Sequence, residues 1–184
     1  MDTLVHGVLG AALCSRTGIP GGRRGPVDAQ GRPKWMDWTF WAAFLFGLLP
    51  DLTSLGPYIL PTVVSDTRLT IGGIPEWVFF LYSVTHSLLG MGVILGVLIW
   101  LYRPLWLPAL AWPLHVGMDL FTHGEGVFLT PIAWPFSDWN FVGWSWWIHP
   151  SIFYGSWILA AVLWIAVGLM RISGRRERKP HELS

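Results

Sequence analysis

The chain has 184 residues and a mass of 20.7 kDa, and 53% of it is hydrophobic while only 12% is charged, against roughly a quarter charged in an ordinary soluble domain. That excludes a disordered chain and argues against a soluble one; a mean hydropathy of +0.49 and 14 Trp point to a membrane, with indole rings at its interfaces. One domain over residues 1–184 is expected, and the single Cys14 excludes an internal disulfide or a cysteine-rich zinc module, so any metal must be held by His and carboxylates.

In chain order, segments 4–13 and 38–49 are apolar but too short to cross a hydrocarbon layer of about 30 Å, so each is expected to stop at depth within the protein. Segment 77–102 has the roughly 20 apolar residues that a spanning helix needs, and so has 152–170. Between them, 105–122 carries Pro108, Pro113, His115 and Asp119 and reads as a bent helix packed inside the protein. The pair Gly92-x3-Gly96 would permit close helix packing. The expected fold is an all-α, polytopic membrane bundle of about four or five membrane helices, some short or re-entrant. Residues 124–150, with Trp134, Trp139, Trp144, Trp146 and Trp147, form an outer interfacial loop, as a lid or an aromatic belt. Met1-Asp2 lacks the basic start of a signal peptide.

Arg16, Arg23, Arg24, Arg32 and Lys34 fall in a basic loop, 16–37; Arg103 falls between two helices; Arg171, Arg175, Arg176, Arg178 and Lys179 fall in a basic tail, 171–184. The positive-inside rule makes all three cytoplasmic and leaves only Arg68 outside. The C-terminus is therefore expected inside the cell, where a reporter fused after Ser184 would be read. The Gly- and Arg-rich stretch 18–32 has no Gly-Lys-Ser/Thr and reads as a flexible inner loop rather than a phosphate-binding one. No nucleic-acid partner is expected.

Ionisable residues inside a membrane are functional candidates by default, because each is expensive unless paired. His6, Asp51, His86, His115, Asp119 and His123 are such residues. In His115-x3-Asp119-x3-His123 the i, i+4, i+8 steps drift only about 40° each, so all three can project from one stripe of a helix. His86 lies ten residues into its helix, roughly 15 Å from the outer end. On the topology set by Lys and Arg alone, all six fall in the outer half of the membrane. If the second helix ends at Pro50, Asp51 sits at its negative dipole end, where a bound cation is favoured. Imidazole with carboxylate suits Zn²⁺, and also Mn²⁺, Fe²⁺ or Ni²⁺. His149, beside Pro150, reads as an interfacial residue, and His181 as a solvated one.

The fragments His6-Gly7, Leu48-Leu49-Pro50-Asp51, Thr85-His86-Ser87-Leu88, His115-x3-Asp119-Leu120-Phe121-Thr122-His123 and Trp134-Pro135-Phe136-Ser137 occur in this order. Together, over residues 1 to 150, they resemble the bacterial and archaeal membrane-bound metal-dependent hydrolases, whose relatives include the LexA-regulated inner-membrane proteins. More distantly, the ligand order is similar to that of zinc-dependent phospholipase C. The resemblance implies an inner-membrane location. It also implies Asp51, His86, His115 and Asp119 on one metal, with His6 helping to hold a second and Asp119 as the bridge.

A metal-activated water could hydrolyse a phosphoester. A site in the outer leaflet is most easily reached by a membrane lipid or lipid-linked substrate, with His123 or Glu125 as the general acid or base. The same ligands would suit a structural ion, or a transporter. The helices below His115 are mainly Leu, Trp, Val and Ile, which offers a transporter no polar path.

Overall fold

The computed structural model describes residues 2–32, 34–64, 73–124, 126 and 128–178; Arg68, Glu125, Lys179 and His181 lie outside them. Every regular element among the described residues is a helix. Helix α1, Thr3–Leu13, starts where the Asp2 carboxylate accepts the Leu4 N–H, a cap worth about 1 kcal/mol. The basic loop follows, with one 3₁₀ turn at Ile19–Gly21, and leads to α2, Trp38–Ser54. Asp37 caps α2 by accepting from the Thr39 N–H and hydroxyl, and it pairs with Arg16 at 2.9 Å. The remaining helices are α3, Gly56–Val64; α4, Glu76–His86; α5, Leu88–Leu101; α6, Trp106–Ala109; α7, Ala111–Thr122; and α8, Pro150–Arg178.

Several helix boundaries differ from those the sequence suggests. Helix α2 does not end at Pro50 but continues to Ser54. The hydroxyls of Thr53 and Ser54 fold back onto the carbonyls of Leu49 and Pro50, at 2.7 and 2.8 Å, in the turn after the proline. The segment 77–102 is not one straight helix: α4 and α5 meet at Ser87 with a bend of 66°. Ser87 is extended and its hydroxyl caps α5 by accepting the Gly90 N–H at 3.1 Å. A Cβ on Gly90 would fall 1.9 Å from the Val84 carbonyl oxygen, so only glycine admits this turn. The segment 105–122 divides into α6 and α7, because the Pro113 ring obstructs the carbonyl four residues back, where α6 ends at Ala109.

Helix α8 runs on into the basic segment as far as Arg178, and Arg171 is buried. Its guanidinium donates to the carbonyls of Arg16, Thr17 and Lys34, clasping the basic loop beneath α8. Gly25 and Gly174 let that loop approach, since a Cβ on either would strike Arg171 or the Arg23 backbone.

Close helix packing occurs elsewhere than at Gly92 and Gly96, where an added Cβ would meet nothing within 4 Å. It lies between α1 and α2. A Cβ on Gly47 would stand 2.6 Å from the His6 carbonyl oxygen, and one on Gly10 would stand 2.9 Å from both the Ala43 oxygen and the Ala111 Cβ. Gly47→Ala is therefore expected to force α1 off α2 and lower stability by about 1–3 kcal/mol, read as a lower unfolding midpoint in detergent; an unchanged midpoint would mean that the helices part freely. Beside this seam Phe46, Met91, Leu95, Trp112 and Val116 form the main core.

Within α8, Pro150–Gly174 is long and apolar enough to cross a membrane; the bent pair α4–α5 also qualifies if taken as one span. The helix exposes Ile158, Leu159, Val162, Ile165 and Leu169, an apolar surface of the kind that contacts lipid or another protein. Residues 123–149 contain no helix or strand among the described residues. They are tied to the end of α7 by the N–H groups of Gly143, Trp144 and Trp146, which donate to the carbonyls of His123, Phe121 and Thr122. Phe136, Trp139, Trp144 and Trp147 stand exposed on this loop.

Candidate metal centre

Four helices deliver the ionisable side chains to one place. Helix α1 carries His6, the last turn of α2 carries Asp51, the last residue of α4 is His86, and α7 carries His115 and Asp119. Hydroxyl and indole groups link the helices there. The Thr85 hydroxyl lies 3.3 Å from the Pro50 carbonyl, joining α4 to α2, and the Trp112 indole N–H donates to the Thr85 carbonyl at 2.9 Å, joining α7 to α4.

Asp51, His86, His115 and Asp119 each turn one donor atom inward, all within 4.8 Å of one another. The tautomer of His115 follows from its outer nitrogen. His115 Nδ1 lies 2.7 Å from the Gly47 carbonyl, and His86 Nδ1 lies 3.1 Å from that of Tyr82. A carbonyl only accepts, so His115 Nδ1 carries the hydrogen and, in a neutral ring, its Nε2 presents a bare lone pair. His86 Nδ1 also lies 2.9 Å from the Thr85 hydroxyl, which can donate or accept. The two Nε2 atoms face each other at 3.3 Å. Asp119 Oδ2 approaches them at 3.1 and 3.7 Å, and Asp51 Oδ1 stands 3.6 Å from both. Imidazole nitrogens and carboxylate oxygens converging in this way need a metal ion or a proton among them.

The dimensions are those of a metal site. Donors about 2.0–2.1 Å from a tetrahedral ion lie about 3.3–3.4 Å apart; five of the six edges here run from 3.1 to 3.7 Å, and the sixth, between the two carboxylate oxygens, is within 4.8 Å. Two carboxylates would neutralise a divalent charge, as a buried site requires. The negative end of α4 at His86 adds to the field, and Asp51, although not at the α2 terminus, is within its last turn. Each ligand is held from outside the cluster. Besides the two carbonyls, the Thr3 hydroxyl donates to Asp51 Oδ2 at 2.6 Å and the Tyr82 ring stacks on His86 at 3.9 Å.

His6 and His123 gather on the other oxygen of Asp119. His6 Nε2 is 3.1 Å and His123 Nδ1 is 3.3 Å from Asp119 Oδ1. His6 is fully buried and its Nδ1 has no hydrogen-bond partner among the described residues. Asp119 thus turns one oxygen to each group. Helix α7 stops at Thr122, so His123 is not on the helical stripe that its spacing suggests but just past its end, in extended backbone. His149 is exposed, and Glu125 lies outside the described residues.

Sequence reasoning found the charged residues but missed their supports. Thr3 stands one turn before His6 and was findable as a polar residue on the same helix; the Gly47 and Tyr82 carbonyls have no side-chain signature. His6, His86, His115 and Asp119 are wholly buried, whereas the side chains of Asp51 and His123 are 12% and 11% exposed. Those two are the cluster's edges toward the outside. The chain matches no family model, no curated protein and no solved structure.

Proposed function

We propose that the chain is a multi-pass membrane hydrolase that holds a divalent ion, preferentially Zn²⁺, on Asp51, His86, His115 and Asp119 and cleaves a phosphoester of a lipid or lipid-linked substrate. The observation that carries the reading is the convergence of two imidazole nitrogens and two carboxylate oxygens at metal-ligand spacing. A divalent ion there supplies Lewis acidity toward a phosphoryl oxygen and acidifies water. Asp51 and Asp119 would bind and orient the ion, and His123, a largely buried side chain beside the Asp119 carboxylate, is placed to move a proton. The order of fragments that resembles the membrane-bound metal-dependent hydrolases supports the same reading, as do the apolar surface of α8 and the exposed aromatics of residues 123–149. Within the proposal α1, α2, α4–α5, α7 and α8 are the membrane helices, with the basic loop and the end of α8 cytoplasmic.

A structural ion is the second reading, favoured by one observation: four protein donors can close a tetrahedral site without water. Activity separates the two. Detergent-purified protein loaded with Zn²⁺ is expected to release phosphate or a phosphorylated head group from phospholipids in mixed micelles. His123→Ala should slow release by about 10²-fold or more if His123 is the general acid or base. Metal bound in stoichiometric amount without release from any phosphoester would leave the structural reading, and absence of metal would end both.

A further inference from the structure

Beside the metal centre, between the end of α2 and α3, runs a groove of about 600 Å³ whose wall includes Thr3, Asp51, Leu52, Gly56, Ile59 and Leu60. That volume is in the range of small-molecule sites, roughly 300–1,000 Å³. Its polarity is one-sided. Its polar side chains are Asp51 and Thr3, the Asp51 Oδ2 accepting from the Thr3 hydroxyl while its Oδ1 faces the two imidazoles. The rest is aliphatic, and Leu52, Ile59 and Leu60 are 47%, 39% and 68% exposed. Among the donors of the four-residue cluster, Asp51 is the one whose side chain reaches the outside, and it does so into this groove. An occupant matching both kinds of wall needs an anionic head that seeks a metal and a hydrocarbon chain.

We infer that this groove is the chain subsite for a phosphate-headed membrane lipid, with the head group at the metal centre and one hydrocarbon chain along Leu52, Ile59 and Leu60. The inference rests on the hydrolase reading for its head-group end. Gly56 forms the open floor: a Cβ there would meet nothing within 4 Å, and its backbone is one that any residue adopts. A large side chain at position 56 would enter the groove rather than the protein, so Gly56 governs what the groove admits.

The test uses the full chain, loaded with Zn²⁺ in lipid nanodiscs, and a phosphatidic acid carrying a photoreactive diazirine near the end of one acyl chain. In the native protein, cross-links are expected on Leu52, Ile59 and Leu60. Gly56→Phe should reduce them at least fivefold while leaving cross-links on the exposed α8 face and the bound metal unchanged. Gly56→Ala, adding a methyl group to open space, should behave as native. A diacylglycerol with the same labelled chain should mark the groove several-fold less than the phosphatidic acid. Groove cross-links that ignore Gly56→Phe, or that show no preference for the phosphate head, would overturn the inference. So would cross-linking between two copies of the chain at these positions, which would make the groove an interface. Hydrolysis of bis(p-nitrophenyl) phosphate, which has no chain, is measured in parallel on the native protein. If phosphate-dependent labelling is present and hydrolysis of every phosphoester is absent, the hydrolase reading falls while the lipid subsite stands.

Discussion

Asp119→Ala is expected to purify without stoichiometric metal, whereas His6→Ala should keep the ion of the four-donor set. The difference follows from how the Asp119 carboxylate is shared. Its Oδ2 lies 3.1 Å from His115 Nε2, inside the cluster with His86 and Asp51, while its Oδ1 lies 3.1 Å from His6 Nε2 and 3.3 Å from His123 Nδ1. Removing Asp119 takes an anionic donor from the four-residue set and severs the second group at once. Loss of even an outer-shell partner typically lowers metal affinity by about 10–100-fold, and loss of an anionic ligand in a buried site should exceed that. His6 reaches only Oδ1, so its removal should affect only an ion bound on that side. Metal per chain, measured by inductively coupled plasma mass spectrometry after gel filtration in detergent, decides the matter. Native-level metal in Asp119→Ala would show that the ion is held without Asp119, and loss of all metal in His6→Ala would show that the two groups are one site.

The ligands were legible because charge is scarce in this chain: a carboxylate such as Asp119 in an apolar stretch stands out, and the four-residue step from His115 places the two on one helix face. What the sequence could not convey is local geometry. Nothing in 77–102 marks Ser87 as a break, since the bend depends on a serine cap and on a carbonyl approach that only Gly90 tolerates. The break matters, because it makes His86 the terminal residue of α4. Gly92-x3-Gly96 looks more like a packing motif than Gly7, Gly10 and Gly47 do, yet the last three lie at the seam, because packing depends on which face meets a neighbour. Arg171 looks like the start of a basic tail and is also the clasp of the inner loop, its carbonyl partners lying about 140 to 155 residues away in sequence. The number of candidate membrane spans was the least legible property of all, since Pro150–Gly174 qualifies alone whereas α4 and α5 qualify only as a bent pair.

Chelation of the metal from the native protein is expected to lower its unfolding midpoint markedly. With metal at a thousandfold excess over its dissociation constant, binding stabilises the folded state by about 4 kcal/mol. For a chain of this size that corresponds to roughly 8–16 °C, at about 2–4 °C per kcal/mol. The structural reason is visible at the site. Without the ion, Asp51, Asp119 and two imidazole nitrogens face one another in a largely buried space, and uncompensated buried charge is destabilising by several kcal/mol. Helices α1, α2, α4 and α7 also share this junction, so loosening it affects most of the bundle. Protons can replace the ion in part, by binding the imidazoles. The midpoint difference between metal-loaded and chelated protein should therefore shrink as the pH is lowered, because metal and protons compete for the same lone pairs. Differential scanning fluorimetry across pH, with Zn²⁺ added back after chelation, measures this directly. A chelated protein shown to be metal-free and yet melting at the native temperature at neutral pH would mean that the cluster is satisfied without a metal.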